Sequence, residues 1–287
     1  MNIFAFGLGY SATRFIALHG ADHAIAGTVR SQAKADALTR DGLEALVFNE
    51  SGADPVIEAR IKAADALLIS AAPGLVADPV LERYQMAIWT ARNLTAIVYL
   101  STVGVYGDHQ GAWVDETSML RPTSERSIAR VKAERAWAAA AGACGAALHV
   151  LRLGGIYGPG QNAICNLRRG TARRIAKPGQ VFNRIHVDDI AGAIKGALAY
   201  EGGGEAWNVV DDEPAPPQDV VAFAAALIGA PLPPLIPFET AELGPMARSF
   251  YGENKRCSNR KLVERMPLSL HFPTYREALR SLVDDSC

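Results

Sequence analysis

The residues best equipped for chemistry fall in one stretch of this 287-residue chain, Ala96 to Glu134. AIVYLSTVGVYG reads as an apolar strand ending on two hydroxyls, Ser101 and Thr102, with the phenol of Tyr106 close behind. PTSERSIARVKAE then opens a helical pattern carrying Arg126 and Arg130 four residues apart, on one helix face. Hydroxyls at a strand end can hydrogen-bond a reacting oxygen, and a phenol can carry a proton. Two guanidinium groups stay charged at any working pH, so they can clamp a carboxylate or phosphate but cannot act as acid or base. Tyr157, in IYGPG, is a second phenol just after a strand.

Such groups need a scaffold, and NIFAFGLGYSATRFI supplies its first unit. Gly7, Gly9 and Ala12 form G-x-G-x-x-G/A between an expected strand and an expected helix. Gly7 permits the tight turn, Gly9 lets the backbone approach a pyrophosphate at the helix N-terminus, and Ala12 allows close helix-to-strand packing. The second strand ends in GTVRS, where NAD-binding chains carry an acidic residue. Arg30 and Ser31 stand there instead, and a guanidinium suits a 2′-phosphate, so NADP is expected over NAD.

Short apolar runs alternate with helical patterns through the first two-thirds of the chain, which predicts repeated βα units and a parallel sheet. The expected strands are Asn2–Phe6, His23–Val29, Glu44–Phe48, Ala66–Ser70, Ile97–Ser101 and Ala147–Leu153. Helices are expected over 14–20, 32–41, 55–63, 80–94 and 124–141. After Gly154 the pattern loosens, with a helix in VDDIAGAIKGALAY, a strand in EAWNVV and a helix in PAPPQDVVAFAAALIG. The expected fold class is α/β, a Rossmann-type doubly wound parallel sheet with a small C-terminal substrate lobe. Residues 1–160 form its cofactor-binding core, and 161–287 complete the core and build the lobe.

Composition narrows the partners. Hydrophobic residues make up 49% and charged residues 21%, and the net charge is −1 without any block of one sign, so neither nucleic acid nor a membrane surface is an expected partner. A small-molecule substrate is. Cys144, Cys165, Cys257 and Cys287 lack metal-ligand spacing, and the sequence opens on an apolar strand without a signal peptide, which predicts a reduced, cytoplasmic protein with no metal site. Arg outnumbers Lys by 22 to 7, so an Arg at a site usually held by Lys carries little weight.

Several separated segments together resemble the extended and atypical short-chain dehydrogenase/reductases, in particular the NAD(P)-dependent epimerase/dehydratase group. They are GLGYSA, ISAAPG, LSTVGVYG, RLGGIYGPG, RIHVDDIA and KRCSNRKL, in the family's order along nearly the whole chain. The resemblance implies hydride transfer at a nicotinamide, with Ser101 or Thr102 on the reacting oxygen. It also places Arg126 where the family has its catalytic Tyr, Arg130 at the family's Lys and Glu134 at its acidic position. Tyr106, Tyr157 or a water is left as proton donor.

The same resemblance assigns Tyr10, Ser11, Ala71, Ala72, Pro73, Gly155 and Ile156 to the cofactor, and Asn162, Arg184, Arg256 and Asn259 to the substrate. Arg152 is expected beside the nicotinamide half of the site. His186 is expected to be structural, Cys257 to be packing, and Asp211–Glu213 to form a solvated turn. Family members commonly form a homodimer through helices matching 80–94 and 124–141, which carry Trp89 and Trp137. The implied activity is an NADP-dependent oxidoreductase or epimerase/dehydratase-like reaction on a small polar substrate, anionic or a nucleotide sugar. The alternative is a non-catalytic NADP-binding sensor.

Overall fold

The computed structural model describes residues 1–49 and 52–287. In chain order the first half comprises β1 (Asn2–Phe6), α1 (Tyr10–His19), β2 (Ala24–Val29), α2 (Gln32–Arg40), β3 (Glu44–Val47), α3 (Pro55–Ala63), β4 (Ala66–Ile69), α4 (Pro79–Trp89), β5 (Ala96–Thr102), β6 (Trp113–Val114) and α5 (Glu125–Cys144). The second half comprises β7 (Ala147–Leu153), β8 (Gly155–Tyr157), α6 (Ala163–Arg168), β9 (Arg174–Ala176), β10 (Arg184–His186), α7 (Val187–Ala199), β11 (Ala206–Val209), α8 (Pro217–Leu227), β12 (Leu235–Pro237), α9 (Pro245–Phe250), β13 (Arg256–Cys257), α10 (Arg260–Arg265) and α11 (Tyr275–Ser281).

Seven strands form one sheet in the order β11-β7-β5-β4-β1-β2-β3, every pair parallel. Strand order reverses between β1 and β4, which opens a crevice at their C-terminal ends, where α/β sheets bind ligands. Both faces are covered. Phe15, Ile190, Ile194 and Trp207 are buried on one side, and Ile57, Tyr84, Ile88 and Trp137 on the other. The central strand AIVYLST is buried almost throughout, as a strand with helices on both faces must be.

Local chemistry sets most helix boundaries. Asp54 and Asp78 accept hydrogen bonds from the first-turn amides of α3 and α4, each followed by Pro at the first helical position. Ser124 caps α5 through the Ser127 amide, and Thr274 with Glu277 forms a capping box on α11. Helix α1 begins at Tyr10, four residues before the periodicity suggests, because Gly9 is its N-cap and the glycine motif runs straight into the helix. Helix α4 stops at Trp89 and not at Leu94.

Beyond β7, with β6 added from earlier in the chain, a lobe is built on three two-stranded pairings, β8 with β10, β9 with β12 and β6 with β13. Strands of two or three residues are too short for a readable alternation. The lobe has its own apolar centre around Ile164, Val220, Ala224, Tyr275 and Leu279. Of the two tryptophans on the helices that a dimer would use, Trp137 is fully buried and donates to Asp78 Oδ2 at 3.1 Å, and Trp89 is 40% exposed.

The expectation of reduced cysteines is corrected for one pair. Cys165 on α6 and Cys287 form a disulfide across 122 residues, a pairing that sequence spacing cannot reveal. Cys144 and Cys257 are free, and Cys257 is buried. Among the described residues no helix is long and apolar enough to cross a membrane, and no cluster of His, Cys, Asp or Glu could hold a metal ion.

Candidate active site

Gly7 sits at φ +94°, and a Cβ there would stand 2.9 Å from the Ala71 amide nitrogen, so only glycine fits between the β1 and β4 ends. The Gly7 amide is held by Thr28 Oγ1 at 3.0 Å. A Cβ on Gly9 would meet nothing within 4 Å, which leaves open space at the N-terminus of ten-residue α1. Backbone amides and the helix dipole there suit a pyrophosphate. Ser11 and Ala12 are buried under the turn, and the Tyr10 hydroxyl donates to the Pro159 carbonyl at 2.9 Å, tying this loop to the turn after β8. This cradle fits the diphosphate of a dinucleotide. Ala71, Ala72 and Pro73 follow β4 beside it, with the Ala71 amide donating to Phe6 O at 2.8 Å.

Arg30 and Ser31 lie exposed at the end of β2, and Ser31 is the N-cap of α2. Sequence reasoning overlooked Lys34, one turn into α2, whose Nζ donates to the carbonyl of Leu8 inside the glycine loop at 2.8 Å. Lys34 thus ties α2 to the glycine loop. Its position in GTVRSQAK, four residues beyond Arg30, was the available signal.

A cavity of about 910 Å³ opens between the sheet edge and the lobe. Thr102, Gly155 and Ile156 line it at the sheet end, as do Asn162 and Arg184. The Thr102 hydroxyl oxygen accepts from the Gly104 amide at 3.1 Å, which leaves its O–H free to donate.

Other expected site residues lie outside this cavity. Ser101 is buried, and its Oγ donates to Glu134 Oε1 at 2.5 Å. Tyr106 is fully buried; its hydroxyl donates to Asn208 Oδ1 at 2.7 Å and accepts from Arg152 Nη1 at 3.0 Å, so it has no proton to offer a ligand. Arg152, whose guanidinium lies 5.1 Å from the Tyr106 ring centre, completes the network with an ion pair to Glu134 at 2.9 Å. Burial opposes the Arg152 charge, but the Glu134 carboxylate more than offsets this and its pKa rises. The expectation of Arg152 at the nicotinamide gives way to this buried role.

Arg126 and Arg130 share a helix face but not a target. Arg126 is exposed with Nη1 2.7 Å from Met246 Sδ, whereas Arg130 Nη1 donates to Tyr99 OH at 3.0 Å and to Leu100 O at 2.9 Å. They form no common anion clamp. Arg256 donates to the Gly111 carbonyl, and Asn259 donates to Val210 O and Asp212 Oδ1, so both brace the lobe beside the cavity without lining it.

The segments joining core and lobe explain several further residues. His186 caps α7, its Nδ1 accepting from the Asp188 amide at 3.2 Å. Arg14 of α1 chelates Asp188 at 2.5 and 2.9 Å, while Asp189 accepts from the amides of His271 and Phe272. Burial drives the His186 imidazole down to about 4. The acidic turn is not solvated throughout, because Asp211 is 1% exposed and burial pushes its carboxyl up to about 8. Tyr157 lines the cavity with its ring, but its hydroxyl oxygen is buried without a partner, and burial raises its pKa.

Comparison with known proteins agrees with this architecture. The family model described as the NAD dependent epimerase/dehydratase family matches residues 20–209. A protein of unknown function from Silicibacter pomeroyi DSS is 44% identical in structure-based comparison, with a TM-score of 0.88 over 98% of both chains. The human epimerase family protein SDR39U1 (isoform 2), solved with NADPH, has the same fold at 18% identity, with a TM-score of 0.73 over 100% of both chains. Protein YeeZ of Escherichia coli K12 is 31% identical over 153 residues, 51% of this chain and 53% of its own; the chain spans about half the length of that curated relative. The glycine cradle, the parallel sheet with its reversal beside β1 and the family match over residues 20–209 carry one conclusion: the chain belongs to the NAD-dependent epimerase/dehydratase family.

Proposed function

We propose that the protein is an NADP-dependent oxidoreductase that acts on a small organic substrate held between the sheet and the C-terminal lobe. The observation that carries this reading is continuity. The cavity that begins at Thr102, Gly155 and Ile156 extends without a break into the lobe, and the turn after β8 that borders it is tied to the glycine loop by the Tyr10 hydroxyl on Pro159 O. When bound, the nicotinamide would supply or accept the hydride.

The chain's own residues would do the remaining work. Gly7, Gly9, Ser11 and Ala12 shape the diphosphate cradle, and Arg30 with Lys34 would face a 2′-phosphate. Thr102 would donate its hydroxyl hydrogen to a carbonyl oxygen and hold it in register. Ser101 and Tyr106 are committed to Glu134, Asn208 and Arg152, so the proton that completes reduction would come from solvent. Ile156 is 41% exposed and Phe250 60%, and both line the cavity, which is therefore open to water.

A second reading, an NADP-binding sensor without turnover, is favoured by the outward placement of Arg126, which leaves no phenol or lysine of α5 in the cavity. NADPH fluorescence titration against NADH, followed by absorbance at the nicotinamide band with a panel of aldehydes and ketones, separates the two. Turnover lost in Thr102→Val with NADPH affinity retained supports the oxidoreductase. NADPH binding with no loss on that substitution, or tighter binding of NADH, sinks its mechanism or its cofactor assignment respectively.

A further inference from the structure

Several of the polar side chains in the cavity wall are turned onto the protein, while the exposed Gln161 and Asn166 amides also line it. Asn162 spends its amide on Gly158 O and the Cys165 amide, at 2.9 Å each. Asn183 donates to Lys255 O at 3.1 Å and accepts from the Cys257 amide at 2.7 Å. Arg184 spends its Nη1 on the carbonyls of Phe182 and Ala215 and keeps Nε and Nη2, and Lys255 is turned onto Gly107 O and Glu253 Oε2. The hydroxyl oxygens of Tyr157 and Tyr275 are buried without a hydrogen-bond partner.

Beyond Thr102, Gln161 and Asn166 the wall is mainly apolar surface, supplied by Ile175, Val181, Phe182, Val220, Leu243 and Leu279. Open polar groups gather at the rim. Arg169 and Arg173 are exposed there, and each has one hydrogen bond, to the carbonyls of Cys287 and Glu242. A guanidinium carries five N–H donors, so most remain for a ligand.

A nucleotide sugar needs partners for a base edge, a ribose and a ring of hydroxyls. Placed against this wall, most of those groups would be dehydrated without replacement hydrogen bonds, at a cost for each. An apolar or aromatic body gains from the same surface, and a carboxylate or sulfonate at one end meets the rim arginines. We infer that the cavity takes an amphipathic organic anion, with its apolar body inside and its charge at Arg169 and Arg173. This deepens the oxidoreductase reading and rests on it for the identity of the site as the substrate site.

The test uses the full chain and a defined probe, 1-anilinonaphthalene-8-sulfonate, titrated by fluorescence with NADP⁺ present, with 4-phenylbutyrate and UDP-glucose as competitors. The expected result is one saturable site, displaced by 4-phenylbutyrate and not by UDP-glucose. The surface double substitution Arg169→Gln/Arg173→Gln should weaken the probe roughly tenfold or more, and Val221→Gln on the wall should weaken it too, with thermal midpoints confirming folding. Displacement by UDP-glucose alone, absence of probe binding, or affinity indifferent to both variants overturns the inference. NADP⁺ binding is measured separately by calorimetry. Its failure would fall on the oxidoreductase reading and leave the ligand-class result standing.

Discussion

Removing the Glu134 carboxylate should damage folding far more than cofactor binding. Glu134 and Arg152 are each 8% exposed at the side chain and 2.9 Å apart, and Glu134 also accepts from Ser101 while Arg152 also donates to Tyr106. In Glu134→Leu the guanidinium keeps its burial and loses its counter-charge. Breaking one side of such a pair costs about 3–5 kcal/mol, because the partner charge is left uncompensated. Substituting both, as Glu134→Leu with Arg152→Met, removes the desolvated charges together and should bring stability back to within about 2 kcal/mol of the parent. Urea unfolding followed by tryptophan fluorescence gives the four corners of the cycle, and NADPH titration of each folded variant gives the functional side. Coupling of several kcal/mol with NADPH affinity held within about threefold is expected. Additive losses across the cycle would refute the reasoning, because the pair would then not be acting as a unit.

Tyr106→Phe should cost roughly 1–3 kcal/mol, since Asn208 Oδ1 loses its donor in a buried site, and should leave any turnover in place; loss of turnover with the stability of the parent would reinstate Tyr106 as proton donor. Arg30→Ala and Lys34→Met should each weaken NADPH roughly tenfold and leave NADH unchanged, as read by paired titrations. Reduction of Cys165–Cys287, or Cys287→Ser, releases a 122-residue loop and should lower stability by up to about 5 kcal/mol, seen as a lower calorimetric midpoint with reductant. Two buried groups set opposite pH slopes. His186, held near 4, lets unfolding take up a proton as pH drops from about 6.5, so stability falls toward acid. Asp211, held near 8, releases its proton on unfolding between its ordinary range and 8, so stability falls as pH rises through that window. Above about 6.5 only the Asp211 slope remains, and Asp211→Asn should flatten stability from there to 8; a slope unchanged in that variant would place the titration elsewhere.

The elements that the sequence made legible are those whose physics is local. The glycine turn, the apolar parallel strands and the helix caps each act within a few residues, so G-x-G-x-x-A, AIVYLST and the Asp-Pro pairs at Asp54 and Asp78 announce themselves. What spacing could not show is where side chains of the right type point. Ser101 and Thr102 are neighbours on β5, and strand alternation sends one into the protein against Glu134 and the other to the cavity. Arg126 and Arg130 share a face, yet one reaches Met246 and the other β5, because the partners come from separate parts of the chain.

The same limit explains Tyr106 and Asp211. Each looks available in sequence, one behind a strand and one in an acidic turn, and each is enclosed by other elements of the chain, Tyr106 by Arg152 of β7 and Asn208 of β11, Asp211 beneath the Arg184 carbonyl of β10. Availability for chemistry is therefore a property of the tertiary packing of core and lobe. The lobe closes over the strand ends, while core groups, Glu134 of α5, Arg152 of β7 and Asn208 of β11, take up Ser101 and Tyr106 and leave Thr102 as the hydroxyl of the strand end that still faces the cavity. A reaction here has to work with an oriented hydroxyl, a fixed cradle and water, and it is this economy of groups, together with the apolar wall beyond them, that separates the site from one built around a phenol and a lysine on α5.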